Sequence, residues 1–224
     1  MLASVGRFSK TVARATAAVL AASIALASQP TRADEAAVAS ETEALASPPV
    51  PRRAFLQYGV AFAVEGVASP GPICDNPGNP CILGSGGGVA VRVGWRPSER
   101  LYLGGAYELT KQESDKLYQL GILQQVRGEL REYIPTGHRT TPFALLGAGL
   151  AGYGNEWSIA TWGPVATLGA GLEVEVSGGL LLDVSLAYRP LYLQRFVDSS
   201  TLSHDAGVAQ FVGIELAVEA QEAL

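Results

Sequence analysis

Leu180-Leu181-Leu182-Asp183-Val184-Ser185-Leu186-Ala187-Tyr188-Arg189 decides the fold. Successive side chains of a strand point to opposite faces, so this run splits into two sets. Leu180, Leu182, Val184, Leu186 and Tyr188 share one face. Leu181, Asp183, Ser185, Ala187 and Arg189 share the other. One face is bulky and apolar; its opposite mixes small residues with charges of both signs. The preceding stretch repeats the split, with Ala166, Leu168, Ala170, Leu172, Val174 and Val176 against Val165, Thr167, Gly169, Gly171, Glu173 and Glu175. So do Leu56 to Val64 against Gln57 to Glu65, Val89 to Trp95 against Ala90 to Arg96, and Val208 to Val218 against Ala209 to Glu219, where Gln210 is the one polar residue on the apolar side.

Working outward from these runs, eight segments are long enough to cross a bilayer as tilted strands, for which about 9–11 residues suffice. They cover 55–66, 86–96, 101–111, 117–134, 142–154, 163–176, 180–192 and 206–219. Short turns at Pro97 to Arg100, Pro135 to Thr141 and Ser177 to Gly179 alternate with longer connections at 67–85, 112–116, 155–162 and 193–205. Short periplasmic turns and longer outer loops are the pattern of an up-and-down transmembrane barrel. A soluble ligand-binding barrel would keep its apolar face inside. Here the polar face is rich in Gly and Ala, which suits a narrow enclosed interior and would serve no purpose on a watery exterior. The expected fold is therefore an all-β, eight-stranded antiparallel transmembrane barrel.

The rest of the chain fits export. Arg7, Lys10 and Arg14 precede an apolar stretch from Ala15 to Ala27, with small residues before possible cleavage points at Ala27 and Ala33. Such a run reads as a secretory signal over 1–33, being too short for a transmembrane helix. Residues 34–53, rich in Ala, Glu, Ser and Pro, read as a flexible periplasmic lead-in, and 54–220 as the barrel. Removing Arg7, Lys10, Arg14 and Arg32 leaves 12 basic residues against 21 acidic ones, a net charge of −9. That balance excludes a nucleic-acid partner, because phosphate binding needs a basic surface.

Turning the polar face inward places Glu65, Arg92, Arg96, Glu108, Arg127, Glu129, Arg131, Glu173, Glu175, Asp183, Arg189 and Glu215 in the lumen. Strand direction sets Arg96, Arg127, Arg131, Glu173, Glu175, Asp183 and Glu215 towards the periplasm and Glu65, Glu108 and Arg189 nearer the outer mouth. Mixed signs in a narrow interior imply paired charges, since isolated buried ions are costly. A charge-plugged lumen is the expectation, and a narrow channel the alternative, open aqueous pores belonging to barrels of about 16 or more strands. Tyr58, Trp95, Tyr107, Tyr118, Tyr188 and Tyr192 are candidates for aromatic belts at the two interfaces.

Cys74 and Cys81, in an exported chain, are expected to form a disulfide closing Asp75 to Pro80. Ser203-His204-Asp205, with Ser199 and Ser200 nearby, is the one cluster with nucleophile, base and acid chemistry. Some eight-stranded barrels are lipid A acyl-transfer or deacylation enzymes, so a lipid A-modifying enzyme is an alternative. Adjacent loop residues do not by themselves assemble a catalytic order, and a solvated loop without catalysis is expected there. His138 falls in a predicted periplasmic turn, far from His204 in the last long loop, and Gly84 to Gly88 lacks the Lys-Ser/Thr and following helix of a phosphate loop, so neither metal nor cofactor is expected.

Pro142-Phe143-Ala144-Leu145-Leu146-Gly147-Ala148-Gly149-Leu150-Ala151-Gly152-Tyr153 resembles a mid-barrel strand of the outer-membrane protein A-type family. Leu168 to Glu175, with the turn and Leu182 to Arg189 after it, resembles the family's next hairpin, and the likeness spans about residues 55–220. It implies an outer-membrane barrel inserted by the barrel assembly machinery and surrounded by lipid and lipopolysaccharide. Loops 67–85 and 193–205 would be the places for an extracellular partner. Two departures stand out: the chain runs on to Gln221-Glu222-Ala223-Leu224 where such barrels usually finish on an aromatic residue, and no peptidoglycan-binding module follows the barrel. A wall-tethering role is therefore not implied.

Overall fold

A computed structural model describes residues 54–75, 81–113, 120–198 and 201–224. The signal and lead-in, Tyr118, Ser199 and Ser200 lie outside them. Barrel strands are β1 (Phe55–Ser69), β2 (Gly86–Ser98), β3 (Leu101–Gln112), β4 (Gly121–Tyr133), β5 (Thr140–Asn155), β6 (Thr161–Ser177), β7 (Leu180–Leu193) and β10 (Gly207–Ala223). They close in the order β1-β10-β7-β6-β5-β4-β3-β2, each antiparallel to its neighbours. Two short strands, β8 (Phe196–Val197) and β9 (Ser203–His204), form a separate hairpin between β7 and β10. Seven of the eight strands overrun the expected limits because an antiparallel hairpin continues to pair wherever its turn allows, whereas β4 lies within the expected 117–134. β10 reaches Ala223, opposite Phe55 of β1.

Register gives the stagger directly. Leu56 pairs with Trp95, then the rungs run through Leu103, Leu130, Leu146, Leu168, Tyr188 and Val212 before returning to β1 at Gly66. The circuit comes back ten residues further along β1, 66 against 56. A stagger of this kind tilts the strands by about 35–45° and leaves an interior just wide enough for side chains.

Side-chain direction follows the alternation in the sequence. Val60, Phe62 and Val64 on β1, Val89, Val91 and Val93 on β2, and Leu182, Val184 and Leu186 on β7 are exposed on the outside. Between them Ala61, Ala63, Ala90, Asp183, Ser185 and Ala187 are buried inside. Small residues make the room: Ala61 pairs across strands with Ala90 and Ala217, while β5 sets Gly147 and Gly149 opposite Glu129 and Arg127. Gly94 and Gly104 pair with each other beneath the Tyr102 ring, where a Cβ on either would lie 2.4 or 2.2 Å from ring atoms. An exterior this apolar on a closed barrel belongs in lipid, where every backbone N–H and C=O must find its partner within the wall.

Candidate functional site

The lumen holds one connected ionic network, and seven of the eight barrel strands contribute to it. At the periplasmic end, Arg96 donates to Glu173 (2.8 Å) and to the Glu99 carbonyl (3.2 Å), with its guanidinium 3.9 Å from the Tyr133 ring. Arg131 donates to Asp183 (2.8 Å) and Glu219 (3.1 Å) and lies over Tyr102 and Phe143. Gln57 donates to Glu219 at 2.5 Å, joining these pairs. At mid-depth, Arg127 reaches Glu108 (2.5 Å), Glu129 (2.9 Å) and Glu215 (3.1 Å), and Arg92 pairs with Glu215 and faces Glu129 at 3.5 Å. Towards the outer mouth, Arg189 meets Glu108 (2.8 Å), Glu65 (3.3 Å) and Glu215. Thr110 (2.7 Å) and Gln112 (2.5 Å) complete the shell of Glu65.

Glu129 and Glu215 tie the layers together, because each faces three arginines: Arg92, Arg127 and Arg131 for Glu129, and Arg92, Arg127 and Arg189 for Glu215. Arg127 and Glu215 thus join the two halves of the lumen, where strand direction alone put both with the periplasmic set. Glu175 is not a lumen residue. It is exposed at the periplasmic rim, where β6 outruns the barrel wall and a register shift between Glu175 and Ser177 opens the inward side to water. Sequence reasoning placed Glu219 on the polar face but left it and Gln57 out of the network. Their positions were the signal: Gln57 lies two inward positions below Ala61 on β1, and Glu219 two below Glu215 on β10.

Above the network sits a feature the sequence did not announce. The loop after β1 turns inward rather than outward. A 3-10 turn (Gly71–Cys74) and the chain from Cys81 to Leu83 carry Ile73, Ile82 and Leu83 into the outer mouth. There they pack with Leu123, Tyr153, Val165, Leu191, Phe196 and Phe211 as a buried apolar stopper. Cys74 and Cys81 are disulfide-bonded, with Cα atoms 4.7 Å apart, and both sulfurs belong to the stopper. Tyr153 donates to the Ile82 carbonyl at 2.5 Å. Gly71, at φ +62°, lies so close to the Val208 carbonyl that a Cβ would be 2.2 Å away. The described part of loop 67–85 is therefore a cork in the mouth. The cause is its own apolar content, for which the barrel mouth is the nearest shelter from water.

His204 is also corrected from the solvated loop expected of it. It is buried, stacked on Phe196 with ring centroids 4.9 Å apart, and its ring nitrogens lie 3.3 Å from Ile73 O and 3.0 Å from Asp198 Oδ2. Asp205 points elsewhere, to the exposed Arg195 at 3.7 Å, and Arg195 Nε also lies 3.4 Å from Ser203 Oγ. Ser203, His204 and Asp205 therefore do not converge: the histidine faces the stopper and the other two the surface. His138 lies at the opposite, periplasmic mouth, on a cavity of about 600 Å³ with mixed lining, Arg96, Glu99, Arg139, Glu173 and Glu175 beside Phe55 and Leu181. Among the described residues no group of acidic, histidine or cysteine side chains could hold a metal ion.

Of the aromatic candidates, Tyr58 and Trp95 face outward near the periplasmic end, and Tyr58 donates to Glu222 at 2.7 Å. Tyr107 and Tyr188 direct their hydroxyls to Gln124 (3.2 Å) and Gln210 (3.0 Å). Tyr192 faces outward near the outer end. These hydroxyl pairings explain the single Gln on the apolar side of the last strand: Gln210 gives a lipid-facing tyrosine a polar partner.

Closed wall, lipid-facing exterior and filled interior together define a small transmembrane β-barrel of the outer-membrane type. No family model and no curated protein matches the chain. Among solved structures it is similar to Neisserial surface protein A, with a TM-score of 0.51 and 14% identity over 75% of this chain and 96% of that one. The outer membrane protein OprG from Pseudomonas aeruginosa gives 0.48 and 11%, covering 77% and 97%. The attachment invasion locus protein of Yersinia pestis gives 0.42 and 13%, covering 77% and 100%. At such identities the first of these shows the shared fold, that of the small outer-membrane barrels, and the exterior of this chain places it in that membrane.

Proposed function

We propose that this protein is a non-enzymatic, non-conducting outer-membrane barrel that serves the membrane as a structural element and offers its outer hairpins to other molecules. The observation that carries this reading is the double filling of the lumen, a continuous ionic network beneath a disulfide-clipped apolar stopper. Ion permeation needs a hydrated path, and both layers would have to part to provide one. The divergence of Ser203, His204 and Asp205 supports a role without acyl transfer. Outer-membrane lipid and lipopolysaccharide are the immediate partners, and the barrel assembly machinery is the partner of insertion. With the described part of loop 67–85 seated in the barrel mouth, the surface favoured for an extracellular partner is 193–205, where Val197, Arg195 and Asp205 are exposed.

The test is a planar-bilayer recording on the refolded protein, coupled to mass spectrometry of lipid A from cells that lack it or overproduce it. A silent bilayer and unaltered lipid A are expected. Discrete conductance steps would overturn the closed-lumen reading, and a gain or loss of acyl groups would overturn the non-enzymatic one.

A further inference from the structure

The connection between β5 and β6 is apolar where an outer loop would be expected to be polar. Trp157 is 72% exposed, Ile159 57% and Trp162 52%. What decides their surroundings is the direction in which the turn folds. Along β5, Ala151 and Tyr153 point into the stopper, so Gly152 and Gly154 face outward. A Cβ on Gly154 would lie 2.0 Å from the Ser158 carbonyl, and one on Gly152 would lie 3.2 Å from the Ile159 side chain. The turn is thus bent back down the outside of the barrel, over the lipid-facing surface of its own strand. Gly152 pairs with Trp162, so the Ile159 side chain reaches the level of that outward indole.

The bend is fixed locally. Glu156 takes φ +52°, Ser158 N donates to Asn155 O at 3.0 Å and Ala160 N to Tyr153 O at 2.9 Å. Two outward glycines supply the recess, which any side chain would fill. An apolar tip held against the wall extends the lipid-facing surface upward, whereas one rising over the mouth would meet water. Indole rings favour this depth, with an apolar body and a donor N–H at the edge.

We infer that the β5–β6 turn is a lipid anchor, a foot of Trp157 and Ile159 set into the headgroup-proximal part of the outer leaflet beside Trp162. The inference rests on the membrane reading of the barrel, and a single experiment separates the two. Chains retaining one tryptophan each, Trp157 (with Trp95→Phe and Trp162→Phe) or Trp162 (with Trp95→Phe and Trp157→Phe), are refolded into phosphatidylcholine vesicles brominated near the headgroup end of the acyl chains. Emission of Trp157 should fall by more than half of the loss seen for Trp162, and aqueous iodide should barely quench it. Quenching of Trp162 without Trp157 overturns the anchor and leaves the membrane barrel standing; quenching of neither overturns the barrel in lipid. Shielding of Trp157 that vanishes on diluting protein into excess lipid would assign the foot to a second copy and also overturn the anchor. Gly154→Ala in the Trp157-only chain should lift the turn and at least halve that bromolipid quenching. An unchanged value would overturn the recess as its cause.

Discussion

Replacing Arg127 by Met probes the lumen most directly. The guanidinium is fully buried and faces Glu108, Glu129 and Glu215 within 2.5–3.1 Å. Methionine matches much of its volume, so the effect is electrostatic rather than a cavity. The network has a built-in imbalance. Its buried acids are Glu65, Glu108, Glu129, Glu173, Asp183, Glu215 and Glu219, against Arg92, Arg96, Arg127, Arg131 and Arg189, a surplus of two acids. Removing one cation widens the surplus to three and takes one arginine from each of three carboxylates, leaving two to Glu129, two to Glu215 and Arg189 alone to Glu108. Breaking a buried pair by deleting one partner costs about 3–5 kcal/mol. In guanidinium chloride, where m for a small protein is about 2–6 kcal/mol/M, that is a midpoint shift of about 1 M. The converse substitution, Glu65→Gln, keeps an acceptor for Thr110 and reduces the surplus, so it should cost under about 1 kcal/mol by the same reasoning. Both are read from tryptophan emission of the folded barrel in micelles during denaturant titration, with heat-dependent gel mobility as a check on folding. The reasoning fails if Arg127→Met shifts the midpoint by less than Glu65→Gln, because the lumen would then not be cation-limited.

Depth should govern the outer face: Val184→Arg, at mid-wall, is expected to cost about 2–4 kcal/mol and Val176→Arg, at the rim, about 0–1, compared by refolding equilibria in vesicles. Equal costs would remove lipid from the exterior. Reducing Cys74–Cys81, or replacing both by Ser, releases a constraint worth about 2–3 kcal/mol on so short a loop. The loss should appear as faster amide exchange at 81–83 with little change at Ala61 or Ala217. Gly94→Val should collide with the Tyr102 ring and cost about 1–3 kcal/mol, recovered in part by adding Tyr102→Leu, as a double-mutant cycle would show.

The parts of this molecule legible in the sequence are those governed by a period of two. Asp183, Ser185 and Arg189 on one side of β7 and Leu182, Val184 and Leu186 on the other need only strand geometry to be sorted. Glu175 escaped because alternation states which side a residue takes and not whether the wall still encloses it at that height. The stopper escaped for a different reason: Ile73, Ile82 and Leu83 are scattered among Pro, Gly and Cys, so no period marks them. What could have been read was their number, three bulky aliphatics in a loop supposed to stand in water. His204 shows the same gap, since beside the local Phe196 and Asp198 its ring meets the carbonyl of Ile73, more than a hundred residues earlier.

The two fillings of the lumen solve different problems, and their order carries meaning. Ion pairs need geometry more than dryness: around Glu215 and Glu129 the arginines are held by strand register, which the membrane already enforces. They do not by themselves exclude water, because a charged cluster gains by recruiting it. Apolar packing excludes water and carries no orientation of its own, so it suits the end where the loop can settle in any close fit. Placing Ile73, Ile82 and Phe211 at the outer mouth and leaving an open cavity with charged groups at the periplasmic mouth makes the seal one-sided. Water and small solutes can then approach Arg96 and Glu173 from the periplasm, while Arg189 and Glu65 are shut off from outside. An inward-facing histidine fits that asymmetry: His204 faces the stopper's backbone and is buried with it.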